Sequence, residues 1–309
     1  SRCFRQVHGM SPSAPRPVAG IFWMFVTGLC FVAVTAIVKH VGDGLPAAQT
    51  AFLRYGLGLV FVIPMLRPMI DARLSRRQYW LFGARGAAHT VAVVLWFFAM
   101  TQITIAEVTA MNYLSPVYVT LGAALFLGEK LAARRIAAVA AAFLGAMIIL
   151  RPGFRELSPG HLAMIFAALS FGASYLLAKR LAGEVSPAAI VGMLSVIVTL
   201  GLLPLALAVW VPPTMAELGW MFLVATFATA GHYTMTLAFA AAPVTVTQPV
   251  TFLQLSWAVL IGAVLFGEPV DGWVVLGGTV ILASVTFITW REHVLKRRET
   301  TPVTHATKV

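Results

Sequence analysis

Charged residues are scarce in this chain. Of its 309 residues only 11% are charged, with 11 Asp and Glu against 22 Lys and Arg, while 60% are hydrophobic. A soluble globular protein carries about 25% charged residues. So few polar groups cannot shield so many apolar side chains from water, and the sequence therefore predicts an all-α integral membrane protein.

Cysteine is also scarce, and the two present lie in different environments. Cys3 belongs to a polar N-terminal stretch and Cys30 to an apolar run, which excludes a disulfide framework. No Cys and His spacing is typical of a metal site, so we predict no metal ion and no cofactor. The net charge of +11 comes from short basic clusters between apolar runs. Such clusters indicate membrane orientation, and no nucleic-acid partner is expected.

Sequence motifs of intramembrane enzymes are missing too. The chain has neither His-Glu-x-x-His nor Gly-x-Ser-x-Gly, so we predict that it is not an enzyme and has no catalytic residue. A channel usually needs a filter sequence or a ring of identical groups from several subunits, and neither is visible. A transporter is the remaining class; a monomer suffices for it, and a dimer stays open.

Long apolar runs fill most of the chain. A spanning helix needs about 20 mostly apolar residues, and ten such runs are present, joined by short connections. Residues 1–17 are predicted to be a disordered tail and residues 293–309 a basic tail. The ten predicted spans cover residues 18–38, 46–66, 78–100, 106–127, 131–150, 160–179, 187–209, 217–239, 244–266 and 271–290.

Basic residues are distributed unevenly between the two ends of these spans. Most Lys and Arg residues fall on one side, whereas Lys39, Arg151 and Arg155 fall on the other. Cytoplasmic loops carry the excess of Lys and Arg, so both termini are predicted to be cytoplasmic. We expect a multi-pass protein of a bacterial inner membrane.

One apolar segment occurs in two similar copies in the sequence. NYLSPVYVTLGAALFLGEK, from Asn112, recurs as TFLQLSWAVLIGAVLFGEP, from Thr251, and both copies close on Gly-Glu. The repeat extends to residues 18–153 and 160–292, with five spans each. Because five is odd, the second unit enters the membrane from the opposite side. Such inverted repeats build transporters that work by alternating access, although a duplicated scaffold without transport is the alternative.

The segment SPVYVTLGAALFLGEKLAARRIAAVAAAFLGAMIILRPG resembles the EamA domain of the drug/metabolite transporter superfamily. That domain carries a proline in mid-helix, a Gly-Glu pair, a short basic link and a small-residue helix with a late glycine. In the second copy Leu255 stands in place of the proline. The matching residues are Pro116, Gly128, Glu129, Gly145, Arg151 and, in the second span, Arg54.

This resemblance implies a transporter of small organic metabolites. The chain is similar to bacterial exporters of amino acids, including aromatic-amino-acid exporters of the YddG type, so amino-acid export is the leading functional prediction. The segment ITIAEVTAMNYLSP also resembles members proposed to carry other metabolites. The alternative is therefore the same fold carrying another metabolite, a cofactor or a toxic cation, with proton coupling as one option.

Ionisable and aromatic side chains inside the spans mark a candidate substrate cavity. Arg85, His89 and Trp96 share one face of the third span by helical spacing. Arg85 alternatively snorkels to the membrane edge, and His89 alternatively makes an interhelical hydrogen bond. Polar and aromatic groups on the fourth, sixth, eighth and ninth spans complete the predicted cavity. They are Asn112, Tyr113, Tyr175, His232, Tyr233, Gln248, Phe252 and Trp257.

Glu107, the acidic residue at the start of the fourth span, has two interpretations. Thr104 and Glu107 fit the Ser/Thr-x-x-Glu capping box, which favours a structural helix start. Alternatively Glu107 pairs with Arg54, which lies at a similar depth, as a gate or a proton site.

Overall fold

The computed structural model describes residues 16–127, 133–154, 156–181, 184–242, 247 and 250–300. These residues fold almost entirely into helices, and none of them lies in a β-strand. Short 3₁₀ segments at Gly42–Gly44 and Leu59–Met65 join three of the helices. The helices are α1 (Pro17–Val41), α2 (Ala47–Gly58), α3 (Leu66–Asp71), α4 (Arg76–Gln102), α5 (Ile105–Asn112), α6 (Leu114–Leu127), α7 (Ala133–Leu150), α8 (Pro159–Leu181), α9 (Pro187–Ala208), α10 (Met215–Ala241), α11 (Thr251–Phe266) and α12 (Gly272–Thr300).

Seven stretches of the described chain are long and apolar enough to cross a membrane, which makes this a multi-pass membrane protein. A shorter apolar helix, Leu253–Phe266, adds to them. The sequence-predicted spans overlap the helices of the described residues. Of the ninth predicted span, 244–266, the structure describes residues 247 and 250–266. The count of ten spans and the cytoplasmic placement of both termini remain predictions. The seven stretches are Pro17–Val41, Ala47–Asp71, Arg76–Gln102, Ala133–Leu150, Pro159–Ala178, Ala188–Ala208 and Gly272–Arg291.

The predicted fourth span is broken in the structure. Helix α5 ends at Asn112 and α6 begins at Leu114, with a 3₁₀-type bond from the Tyr113 N–H to the Ala110 carbonyl at 3.3 Å. Pro116 explains the break, because proline has no N–H to donate to the carbonyl four residues earlier, at Asn112.

Close helix pairs form the core. α4 packs along α8, α1 along α10, and α7 along α12. At the α7–α12 crossing a Cβ atom on Gly145 would lie 2.7 Å from the Gly277 carbonyl oxygen, and one on Gly277 would lie 2.5 Å from the Gly145 oxygen. Only glycine permits that approach, as in other membrane helix pairs built on small residues.

Helix α12 is the longest element. Its 29 residues span about 44 Å at 1.5 Å per residue. The hydrocarbon core of a bilayer is about 30 Å thick, so an untilted α12 is longer than the membrane interior.

Candidate substrate cavity

A cavity of about 400 Å³ lies among the helices. Eight helices line it, namely α1, α2, α4, α5, α6, α8, α10 and α11. Helices α7 and α12 pack together outside this lining. The volume falls within the range of sites that hold small organic molecules.

Aromatic rings cover much of the cavity wall. Phe171 of α8 stacks on Tyr175 with 6.1 Å between ring centroids, and it meets His89 and Trp96 of α4 edge-on at 5.2 and 6.0 Å. Phe31 of α1 meets the imidazole of His232 on α10 edge-on, with 5.2 Å between ring centroids. These rings offer flat apolar faces and ring edges to a bound molecule.

His89 is fixed by two hydroxyl groups. Its Nε2 lies 2.9 Å from the Tyr55 hydroxyl, and its Nδ1 lies 3.1 Å from Ser174 Oγ. Both ring nitrogens therefore have protein partners. This arrangement combines the two sequence-based interpretations of His89, since the residue lines the cavity and also bridges α2, α4 and α8.

Arg54 gives the cavity wall a positive charge. Its guanidinium carbon lies 3.8 Å from the centre of the Tyr55 ring, a cation–π contact. None of the described lining residues is Asp or Glu, and no described carboxylate pairs with Arg54. The wall is therefore suited to neutral or anionic groups and disfavours a cation.

Three polar atoms of the lining residues have no hydrogen-bond partner within the described structure. They are Trp96 Nε1, Asn112 Oδ1 and Ser115 Oγ, and all three are buried. The neighbouring Tyr113 differs, because its hydroxyl donates to the Thr251 carbonyl at 2.7 Å.

The structure brings most of the predicted cavity residues together. Arg54, which the sequence analysis assigned to a gate, also lies in the lining. The predicted residues that line the cavity are Arg54, His89, Trp96, Asn112, Tyr113, Tyr175 and His232.

Other predicted residues lie elsewhere. Arg85 is buried one turn before His89 and donates to the Ile190 carbonyl of α9 at 3.1 Å. Tyr233 is 66% exposed on the outside of α10. Trp257 does not line the cavity and meets Phe25 edge-on at 6.1 Å. Gln248 and the side chain of Phe252 lie outside the described residues.

Arg54 lies in the cavity lining and Glu107 outside it, and the predicted pairing of the two stays a prediction. The capping box at Thr104 is confirmed: the Thr104 N–H donates to Glu107 Oε2 at 2.9 Å, and the Glu107 N–H donates to Thr104 Oγ1 at 3.1 Å. The Glu107 carboxylate also lies 3.1 Å from His161 Nε2. A gating or proton role for Glu107 stays a prediction.

A second charged contact lies near Glu107. Lys39 Nζ is 2.5 Å from Glu268 Oε1 and donates to the Ile103 carbonyl at 2.9 Å. Glu268 Oε2 accepts from the Ile105 N–H, the first residue of α5, at 3.0 Å. A carboxylate at a helix N-terminus is favoured by the helix dipole. We call the region formed by Lys39, Glu107, His161 and Glu268 the Lys39 end of the bundle.

The sequence analysis missed several lining residues, although helical spacing in the sequence identifies some of them. Thr27, Phe31 and Thr35 follow one another at intervals of four on α1, the spacing of one helix face, and all three line the cavity. Tyr55 directly follows Arg54 within a span. Gln254 of α11 lies three residues after Thr251, and both line the cavity, so helical spacing marks this pair as well.

The profile of the EamA-like transporter family matches residues 18–151 and again residues 158–290. The chain belongs to the EamA-like transporter family. This EamA protein is thus a transporter of small metabolites of the drug/metabolite transporter type. The resemblance found in the sequence is confirmed.

Named relatives of this EamA protein carry different cargoes. A riboflavin transporter of Rhizobium johnstonii is 34% identical over 93% of this chain and 95% of its own length. A riboflavin transporter of Vibrio cholerae is 30% identical over 92% of this chain and 97% of its own. An S-adenosylmethionine uptake transporter of Rickettsia prowazekii is 21% identical over 88% and 93%.

These relatives bear on the predicted substrate. All three are named as transporters, and their names give riboflavin or S-adenosylmethionine as cargo. They therefore favour the alternative prediction, another metabolite or cofactor carried by the same fold, over amino-acid export.

Proposed function

We propose that this EamA protein transports riboflavin, or a compound with the same flat heteroaromatic ring system, across a bacterial inner membrane. The observation that carries the proposal is the 34% identity to a riboflavin transporter along nearly the whole of both chains. A second relative with the same printed cargo, at 30% identity, supports it.

The chemistry of the cavity supports the same cargo. A flavin ring is large, flat and uncharged at neutral pH, and it carries polar atoms along its edges. The Phe171, Tyr175 and Trp96 rings provide faces and edges for such a ring. A free amino acid has an ammonium group that needs an acceptor of negative charge, and no described lining residue is a carboxylate. The cavity therefore suits a flavin better than an amino acid.

We infer that transport proceeds by alternating access between two inverted halves. Helices α4 and α10 support this, since each has 27 residues and each starts with a capping box, Ser75 with Gln78 and Thr214 with Glu217. The α1–α10 and α4–α8 pairs also correspond if the first predicted span matches the sixth and the third matches the eighth. The reciprocal approach at the α7–α12 crossing fits the same symmetry.

The contacts at the Lys39 end support a closed state at that end. The ion pair between Lys39 and Glu268 and the cap on Ile105 tie α1, α5 and the α11–α12 connection together. The predicted orientation places this end on the outer side of the membrane. Alternating access then requires these contacts to open when the cavity faces outward.

Transport in liposomes tests the proposal. Purified protein is reconstituted, riboflavin is added outside, and the flavin trapped inside is measured by its fluorescence, with protein-free liposomes as the control. We expect saturable riboflavin entry that unlabelled tryptophan does not slow. Tryptophan entry without riboflavin entry would overturn the proposal in favour of amino-acid transport. Repeating the assay with a pH gradient shows whether a proton accompanies the substrate.

A further inference from the structure

Three buried polar atoms without a partner in the described structure belong to residues that line the same cavity. Trp96 Nε1 comes from α4, Asn112 Oδ1 from the last residue of α5, and Ser115 Oγ from the second residue of α6. The break between α5 and α6 places the latter two on either side of Tyr113. Ser115 is only 3% exposed, and its hydroxyl has no partner within the described structure.

Several other polar groups of the cavity have protein partners. Thr27 Oγ1 lies 2.9 Å from Thr234 Oγ1, and Thr35 Oγ1 donates to the Phe31 carbonyl at 3.1 Å. His89 has two hydroxyl partners, as described above. Buried polar groups in proteins are almost always hydrogen-bonded, because an unmet donor or acceptor costs free energy. Three unmet atoms in one cavity therefore point to a ligand.

The chemistry of these atoms defines what the ligand must offer. An indole N–H only donates, an amide oxygen only accepts, and a hydroxyl does either. A complementary ligand edge needs at least one acceptor for Trp96, one donor for Asn112 and a further polar atom for Ser115. A cyclic imide, in which an N–H stands between two carbonyl groups, has this composition, and the pyrimidine ring of a flavin is such an imide.

We propose that Trp96, Asn112 and Ser115 form a polar subsite that binds the imide edge of the transported ring. Asn112 Oδ1 accepts from the imide N–H, while Trp96 Nε1 and the Ser115 hydroxyl donate to the two carbonyl oxygens. Trp96 contacts Phe171 of the aromatic wall edge-on. The imide edge of the ligand is therefore held at Trp96, next to the aromatic side chains that contact the rest of its ring. This inference rests on the proposed riboflavin transport and names the residues that select for it.

Flavin binding by the purified protein tests the subsite. Riboflavin and N3-methylriboflavin, whose methyl group replaces the imide proton, are titrated in detergent, and quenching of flavin fluorescence gives Kd. We expect riboflavin to bind at least about tenfold more tightly, since a site built to accept an N–H rejects an analogue that lacks it. This comparison uses the unaltered chain, so it does not depend on the folding of a variant.

Three variants then assign the contacts. Asn112→Leu removes the acceptor at similar size and should abolish the preference for riboflavin over the methylated analogue. Ser115→Ala and Trp96→Phe should each raise the Kd of riboflavin about fivefold, the usual effect of one lost hydrogen bond. Thr90→Val is the matched control. Thr90 Oγ1 is also buried on α4 without a partner in the described structure, but it does not line the cavity.

The outcomes distinguish failure of the imide subsite alone from failure of both proposals. Riboflavin binding with equal affinity for the methylated analogue overturns the imide subsite and leaves riboflavin transport standing. An Asn112→Leu protein that keeps the preference also overturns it. Failure of the unaltered protein to bind either flavin overturns both proposals. A Kd that changes as much in Thr90→Val as in Ser115→Ala shows a general effect of core hydroxyl loss and overturns the assignment of Ser115.

Discussion

The Lys39 end and the cavity both bury polar groups among apolar helices, but they treat those groups differently. At the Lys39 end the charged side chains are paired, Lys39 with Glu268 and Glu107 with His161. In the cavity three polar atoms remain without a partner in the described structure. Matched groups at the Lys39 end hold helices together, whereas we propose that the unmatched atoms of the cavity bind a ligand. Thr90 Oγ1 is unmatched outside the cavity, so the position in the lining, and not the missing partner alone, carries that proposal.

The geometry at His161 shows how complete the matching is. The Ser158 N–H donates to His161 Nδ1 at 3.1 Å, so Nδ1 accepts and Nε2 carries the ring proton. That proton is then donated to Glu107 Oε1 at 3.1 Å. These contacts and the cap on α5 support the structural interpretation of Glu107, and its role as a gate or proton site stays a prediction.

Breaking the Lys39–Glu268 pair should give the largest effect on stability. Lys39→Met leaves the Glu268 carboxylate, whose side chain is 9% exposed, without its cation. We expect a loss of about 2 kcal/mol in the free energy of unfolding, below the full cost of breaking a buried pair because Lys39 is partly solvated. The melting temperature in detergent measures it. Arg77→Met, in the exposed pair with Glu184, is the control and should change little.

The double variant Lys39→Met with Glu268→Gln sharpens this result. Removing both charges should restore part of the stability lost in the single variant, because no unpaired buried charge remains. Additive losses in the double variant would show that the pair does not act as a pair.

Two tryptophans allow the effect of a substitution in the cavity on riboflavin binding to be compared with that of a substitution outside it. Trp96 lines the cavity and Trp257 does not. Trp96→Ala should weaken riboflavin binding by about tenfold, through loss of an aromatic contact and an indole N–H. Trp257→Ala should leave the Kd of riboflavin unchanged, although its stability falls. Equal loss of binding in both variants would contradict the placement of the ligand beside Trp96.

Glu107→Gln tests whether the Lys39 end is only structural. Glutamine keeps the capping box but turns the charge-assisted bond with His161 into a neutral one. We expect stability to fall by about 1 kcal/mol and riboflavin affinity to stay unchanged. If uptake loses a dependence on the pH gradient in this variant, Glu107 is a proton site and the division between the two regions fails.

The smallest expected effect lies at the opposite end of the bundle. Hydrogen bonds from Arg77 and Gln78 lower the pKa of the Glu184 carboxyl below its usual value of 4.5. The stabilisation is therefore present above that value and is lost as the pH falls through the lower, folded-state pKa. Glu184→Gln should show a slightly smaller drop in melting temperature between pH 7 and pH 3 than the unaltered chain. High salt should reduce that difference, since the pair is exposed.

The sequence predicts the helices better than the faces they turn inward. Apolar runs located the helices of the described residues, because a lipid-facing helix must be apolar along its length. The same property hides the inner face, since lipid and protein neighbours both accept apolar side chains. His232 and Tyr233 were predicted together, yet only His232 lines the cavity. Arg85 fell on the correct face but one turn too near the end of α4, where α9 covers it.

Substrate was harder to predict than architecture. The polar and aromatic composition of the predicted cavity fits any small amphiphile, and one fold hosts many cargoes. The cavity chemistry that supports the proposed cargo is the lack of a described carboxylate beside Arg54 and the three unmet polar atoms. It depends on how helices far apart in the sequence meet. The break before Pro116, unlike the cavity chemistry, can be predicted from the sequence alone, because proline has no backbone N–H to donate.

The length of α12 offers a practical handle. A protein of 33.2 kDa that is almost wholly enclosed by detergent or lipid is difficult to align in electron cryomicroscopy. Because α12 runs without a break to Thr300, a soluble helical protein can be fused in register at that residue as a continuation of the same helix. Such a fusion partner, joined rigidly to the bundle, would serve as a marker for aligning particle images and so test the proposed alternation between two conformations.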